Sequence, residues 1–124
     1  MITLAELPGR PCPIAASLEV VGDRWALLVV REVALGSHRF TDIASGTGAP
    51  RDRLTARLKS LVETGILERR RYSEAPPRHE YHLTDAGRAL LPVLDQLLLW
   101  GRTWAVAIGD PDLNRHRTVR YQET

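Results

Sequence analysis

The stretch FTDIASGTGAPRDRLTARLKSLVETG, residues 40–65, decides how the chain folds. From Pro50 onward its apolar side chains stand at Leu54, Leu58, Leu61 and Val62, a spacing of i, i+4, i+7 and i+8. At about 100° per residue these positions form one stripe of a helix over residues 50–64. Asp52, Arg53, Thr55, Ala56, Lys59 and Ser60 point away from that stripe, and Arg51 and Arg57 flank it. Proline opens a helix at little cost, because the first N–H groups have no intrahelical partner. Gly65 suits the position just past the end, where φ is positive. Ahead of Pro50, residues 40–44 predict a short helical turn and residues 45–49 a turn.

The neighbouring segments extend this pattern in both directions. Residues 1–12, with Pro8, Gly9 and Pro11, read as an extended arm. Pro13 opens a helix with Ile14, Leu18 and Val21 on one face, ended by Gly22. Asp23 is placed to cap a second helix over residues 24–35, apolar almost all round and so expected at the centre of the domain. Past Gly65 the period changes. Residues 66–72 and 80–83 read as two strands, with residues 73–77 an irregular hairpin loop. Thr84 caps a single long helix from Asp85, whose apolar surface is wider than one packing stripe requires, so part of it is expected to face another chain. Asp110-Pro111 ends that helix and leaves a loose polar tail. The expected divisions are an arm at 1–12, a folded unit at 13–109 and a tail at 110–124.

Short helix, turn, amphipathic helix and hairpin make a helix-turn-helix followed by a wing. The expected class is α+β, mainly α, with added N- and C-terminal helices for dimerisation. A recognition helix buries one stripe and offers short polar and Arg side chains to base edges. Arg51 and Arg53 are the first candidates, because Arg pairs bidentately with guanine O6 and N7; Asp52 accepts from cytosine N4 or orients an Arg, and Thr55 stands beside them. Arg39, Thr41, Arg57, Lys59, Arg69, Arg71 and Arg78 are candidates for the DNA backbone. Against this, some of these arginines are expected only to cover apolar surface or to pair with Asp42, Glu68 or Glu80.

Charge agrees with that placement. The 124 residues carry 17 Lys+Arg and 15 Asp+Glu, a net charge of +2. Divided by region the balance is −1 for residues 1–36, +3 for 37–82 and 0 for 83–124. The basic excess therefore sits on the helix-turn-helix and wing, a local face for a polyanion. The length fits one domain. The single cysteine, Cys12, excludes a disulfide framework and a Cys-rich zinc module and fits a reducing compartment. No signal peptide is read at the N-terminus, and the apolar window 89–108 is interrupted by Pro92, Asp95 and Arg102, so no membrane partner and a cytoplasmic location are expected.

In detail the sequence resembles the HxlR-type winged helix-turn-helix regulators of bacteria, over roughly residues 12–104. The pieces are Cys12-Pro13, Gly22-Asp23-Arg24-Trp25, Arg39-Phe40-Thr41-Asp42-Ile43, Leu54-Thr55-x-x-Leu58-x-x-Leu61 and Gly65-Ile66-Leu67. The most specific is Pro76-Pro77-Arg78-x-Glu80-Tyr81-x-Leu83-Thr84-x-x-Gly87, which leads to Trp100-Gly101. Pro50 departs from the usual Ser, and the tail 110–124 runs past the usual end. The resemblance implies a cytoplasmic homodimer on a pseudo-palindromic operator duplex, with the first and last helices at the dimer interface: Ile14, Leu18, Leu94, Leu97, Leu98, Trp100 and Trp104. It also implies that Cys12 can serve as a thiol sensor of oxidants or electrophiles; packing of a small cysteine is the plainer reading.

Other chemistries find little support. His79 and His82, three apart on a strand, point to opposite faces and cannot share a metal, and no cofactor is expected. No acid, oxyanion loop or phosphate loop accompanies Cys12 and a histidine, so an enzyme is not expected. Trp25, Trp100 and Trp104 suit core and dimer packing, or else an aromatic-lined effector pocket. The rival readings are a protein-interaction module using the apolar C-terminal helix, and an RNA-binding winged helix.

Overall fold

The computed structural model describes residues 1–115. After one 3-10 turn at Leu4–Glu6 come α1 (Pro13–Val21), α2 (Ala26–Ala34), α3 (Phe40–Thr47) and α4 (Arg51–Glu63). The hairpin β1 (Leu67–Glu74) and β2 (Pro77–Leu83) follows, then α5 (Asp85–Arg88) and α6 (Leu91–Trp104). This is a winged helix-turn-helix: mainly helical, with one two-stranded antiparallel sheet among the described residues.

The near-continuous apolar run of α2 places it at the centre. Val29, Val30 and Val33 are wholly buried and meet Ile43 of α3, the Leu54, Leu58 and Leu61 stripe of α4, and Leu67 and Leu83 at the root of the wing. α2 begins at Ala26 with Trp25 at its N-cap position, two residues later than expected; Asp23, expected as the cap, still serves the first helical N–H, its Oδ1 accepting from Ala26 at 2.9 Å. Glu32 is a buried carboxylate on α2. The Arg31 guanidinium bonds its Oε2 at 2.8 Å and the Gly46 carbonyl at 2.9 Å, which pins α3 to α2.

Three expectations about element limits need correction. Residues 45–47 belong to α3 rather than to a turn. The Thr47 hydroxyl donates to the Ile43 carbonyl at 2.8 Å and accepts from the Ala49 N–H at 3.2 Å, and the helix stops only at Gly48, where φ is 71°. The strands reach Glu74 and Pro77, so Ala75-Pro76 alone makes the turn of the wing. Proline is tolerated there because a first strand residue need not donate to the ladder. The last helix is two helices. Thr84 caps only the single turn of α5, because Pro92 has no N–H for the Arg88 carbonyl and its ring crowds that position. Moreover α6 ends at Trp104, where the Ala105 and Val106 N–H groups both return to the Gly101 carbonyl. Of the tail, residues 116–124, His116 included, lie outside the described residues.

Candidate nucleic-acid interface

Packing of the leucine stripe leaves α4 with two flanks and an outer face. On the wing side, Thr55, Lys59, Val62 and Glu63 border a cleft of about 430 Å³ whose far wall is Arg69 and Tyr81. On the other side, Arg53, Ala56 and Arg57 share a face at i, i+3 and i+4. They border a depression of about 200 Å³ with Asp23, Arg24 and Trp25. Asp52 stands on the outer face in the first turn, exposed.

The basic residues fall into two groups. The side chains of Arg53, Lys59, Arg69 and Arg78 make no hydrogen bond or ion pair among the described residues, and all four are exposed. The others are held. The Arg51 guanidinium lies 4.9 Å from the Phe40 ring centroid, tying the start of α4 to α3. Arg57 Nε meets Asp23 Oδ2 at 3.0 Å. Arg39 Nε stands 3.5 Å from Glu80 Oε2, with its guanidinium 4.3 Å above the Tyr72 ring. Arg71 pairs with Glu74 at 3.1 Å, and Arg70 with Glu68. The expected alternative is thus realised at Glu80, with Arg39; Glu68 holds Arg70, which was not among the candidates, and Asp23 and Glu74 are partners that strand and helix periodicity did not single out. The Thr55 hydroxyl donates to the Arg51 carbonyl at 2.9 Å, which leaves its oxygen able to accept only; Thr41 is exposed in the first turn of α3.

Alternation divides the wing into two unlike faces. Leu67 and Leu83 anchor one face, which continues outward through Arg69 opposite Tyr81 and Arg71 opposite His79. Partial burial, with Arg69 and then Arg71 beside it, holds the His79 pKa below its usual 6.5. The opposite face carries Glu68, Arg70, Glu80 and His82 and braces on residues 38 and 39. His38 donates from Nδ1 to the Tyr81 carbonyl at 2.9 Å and its own carbonyl accepts the Tyr81 N–H at 2.8 Å. Its ring stacks on His82 at 4.2 Å between centroids. His82 Nε2 reaches Glu80 Oε1 at 3.3 Å. That hydrogen bond is the main cause lowering the Glu80 pKa; partial burial opposes it and Arg39 adds to it. This brace joins residues far apart in the chain and was not expected; the alternation of the strand shows only that His82 and Glu80 share a face.

Cys12 is the N-cap of α1, half-buried, with Sγ accepting the Ala15 N–H at 3.4 Å. In the next turns Ile14 and Leu18 are exposed at 73% and 61%. On α6, Leu97, Trp100 and Trp104 form an open apolar face with Val93 and Leu99, Trp104 being 75% exposed. Leu98 is half-buried, and Leu94 turns inward to pack on the core of its own chain. Trp25 packs on the core and lines the depression beside α4, apart from Trp100 and Trp104. The three tryptophans therefore do not converge on one pocket. Among the described residues no helix is long and apolar enough to cross a membrane.

Residues 20–108 match the family of HxlR-like helix-turn-helix proteins. The chain belongs to the HxlR-like helix-turn-helix family. An uncharacterized HTH-type transcriptional regulator of Mycobacterium tuberculosis is 42% identical over 106 residues, covering 85% of this chain and 67% of the relative. The crystal structure of PA1607 superposes with a TM-score of 0.74 at 38% identity, over 80% of this chain and 69% of that one. The redox regulator HypR in its oxidized form superposes with a TM-score of 0.69 at 31% identity, over 77% and 100%. The chain is a transcriptional regulator of the HxlR type, and its helix-turn-helix and wing are those of the family.

Proposed function

We propose that this HxlR-like regulator binds an operator duplex as a homodimer and represses by blocking access to the promoter. The observation that carries the reading is the set of exposed, unpaired cations, Arg53 and Lys59 on a recognition helix held rigidly by its buried stripe and Arg69 and Arg78 on the wing. Unpaired guanidinium and ammonium groups have no ion-pair partner to give up when they meet phosphate, whereas an ion-paired arginine must first exchange its partner. Arg51, Asp52, Arg53 and Thr55 at the start of α4 read base edges. Arg39, Thr41, Arg57, Lys59, Arg69, Arg71 and Arg78 contact the backbone on either side.

One copy of a small winged domain covers one half-site, so a pseudo-palindromic operator calls for two. The open apolar faces of α1 and α6, with Ile14, Leu18, Leu97, Trp100 and Trp104, support a second copy as their partner; half-buried Leu98 stands at the edge, and Leu94 steadies α6 from below. Cys12 at the head of α1 adjoins this surface in sequence, and an oxidant or electrophile that modified it would act on the dimer geometry. The likeness to the redox regulator HypR supports a thiol-responsive form of regulation. A cytoplasmic setting follows from a duplex DNA partner.

A mobility-shift titration against the chain's own upstream region tests the proposal. A retarded complex that survives excess random duplex supports it, and the absence of any shift at low salt with several fragments overturns it. A monomer mass at micromolar concentration overturns the dimer, and operator affinity unchanged by diamide removes Cys12 from the mechanism.

A further inference from the structure

We infer that Arg24, with Arg57 and the unpaired Arg53, forms a seat for a DNA backbone phosphate on the side of α4 away from the wing. The inference rests on the duplex-binding reading above and adds to it a contact from outside the helix-turn-helix and wing. A helix with side chains is about 10–12 Å across and the major groove about 12 Å wide, so a helix lying in it faces one sugar–phosphate strand on each flank. The wing-side flank has Lys59 and Arg69 for its strand. The other flank has the depression lined by Asp23, Arg24, Trp25, Arg53, Ala56 and Arg57, three cations against one carboxylate.

Two of the three cations there are held ready. The Arg24 guanidinium lies 4.9 Å from the Trp25 ring centroid, and Trp25 is itself fixed against the core, so Arg24 has a rigid platform. Asp23 uses Oδ1 to cap α2 at the Ala26 N–H, 2.9 Å, and Oδ2 to hold Arg57 Nε at 3.0 Å. The approach of Asp23 at Nε leaves the outer side of the Arg57 guanidinium to donate to a phosphate. Asp23 is thus a positioning residue, and it ties the N-terminus of α2 to the recognition helix at the place where the backbone would pass. Arg53, unpaired and one turn earlier on the same face, extends the seat toward the bases.

The test is an affinity titration of the full chain across salt, with the upstream duplex and a random duplex, for wild type, Arg24→Gln, Arg24→Lys and the wing variant Arg78→Gln. One phosphate contact contributes about 0.9 to the log–log salt slope. Arg24→Gln is therefore expected to lower the slope by about 0.9 and the affinity about eightfold at 0.1 M salt, equally for both duplexes. Arg24→Lys keeps the charge and should retain most of the slope, which also answers a folding defect at this position. Ethylation interference should show one inhibitory phosphate per half-site that is lost in Arg24→Gln and kept in Arg78→Gln. Slope and interference pattern unchanged in Arg24→Gln, while Arg78→Gln weakens binding, would overturn the seat and leave the duplex reading standing. No shift by the wild type overturns both.

Discussion

Gly46→Ala offers a sharp test of how the recognition unit is held, because helix propensity and packing predict opposite signs. Gly46 lies inside α3 with no positive φ, where Ala is favoured over Gly by about 0.8–1 kcal/mol. A Cβ at this position would stand 1.8 Å from Glu32 Oε1, 2.3 Å from its Cδ and 2.8 Å from its Cγ. Glu32 cannot simply swing aside, since it is buried and its other oxygen is bonded to Arg31, which also holds the Gly46 carbonyl. Forcing such a group into a packed site costs about 1–3 kcal/mol, and disturbing the buried carboxylate adds a further penalty of about 1–3 kcal/mol. The net expectation is a destabilisation of about 1–5 kcal/mol after the propensity gain is subtracted. Urea denaturation at fixed chain concentration measures it, since any self-association makes the midpoint concentration-dependent. In a Glu32→Ala background the obstruction is gone, and Gly46→Ala should then stabilise by up to about 1 kcal/mol. The change of sign, read as a coupling energy in a double-mutant cycle, is the decisive quantity. A Gly46→Ala protein as stable as wild type, or the same effect in both backgrounds, refutes the packing argument.

Three further outcomes follow from the same structure. Leu58→Ala on the buried stripe of α4 should cost about 2–5 kcal/mol in chemical denaturation, whereas truncating exposed Lys59 should change stability by less than about 0.5 kcal/mol and act on duplex affinity instead. Thr84 accepts the Gly87 N–H at 3.2 Å and donates toward the Gly65 and Ile66 carbonyls at 2.5 and 3.0 Å, so Thr84→Val should lose about 1–3 kcal/mol while Thr84→Ser stays close to wild type. Glu80 has its pKa lowered in the folded state, so its contribution to stability is present above the ordinary 4.5 and is lost as pH falls through the lowered folded value. The stability difference between wild type and Glu80→Gln should accordingly shrink on acidification below 4.5, and a difference independent of pH would contradict the His82 and Arg39 brace.

Much of this was legible in the chain. Leu54, Leu58 and Leu61 mark the buried side of the recognition helix because a 3.6-residue period needs no tertiary information. Gly65 marks the end of α4 because positive φ excludes most side chains, and this glycine has it. The exposure of Arg53 and Lys59 follows from the same projection. Element limits were less readable where long-range contacts set them. The sequence Ser45-Gly46-Thr47 looks like a turn by composition, yet Arg31 and Glu32 of α2 hold it helical from outside. Pro92 was read only as an interruption of the apolar window, and the apolar run around it masked the break between α5 and α6.

Local periodicity, capping and turn chemistry determined the order of elements and the class of fold, since each depends on neighbours within a few residues. Only the tertiary structure decided which cations are spoken for. Arg57 finds Asp23, Arg39 finds Glu80 and Tyr72, and Arg24 comes to lie beside α4, through contacts between segments tens of residues apart. Whether a surface charge is free or paired depends on what the fold carries to within a few ångströms of it, and no period in the sequence encodes that distance.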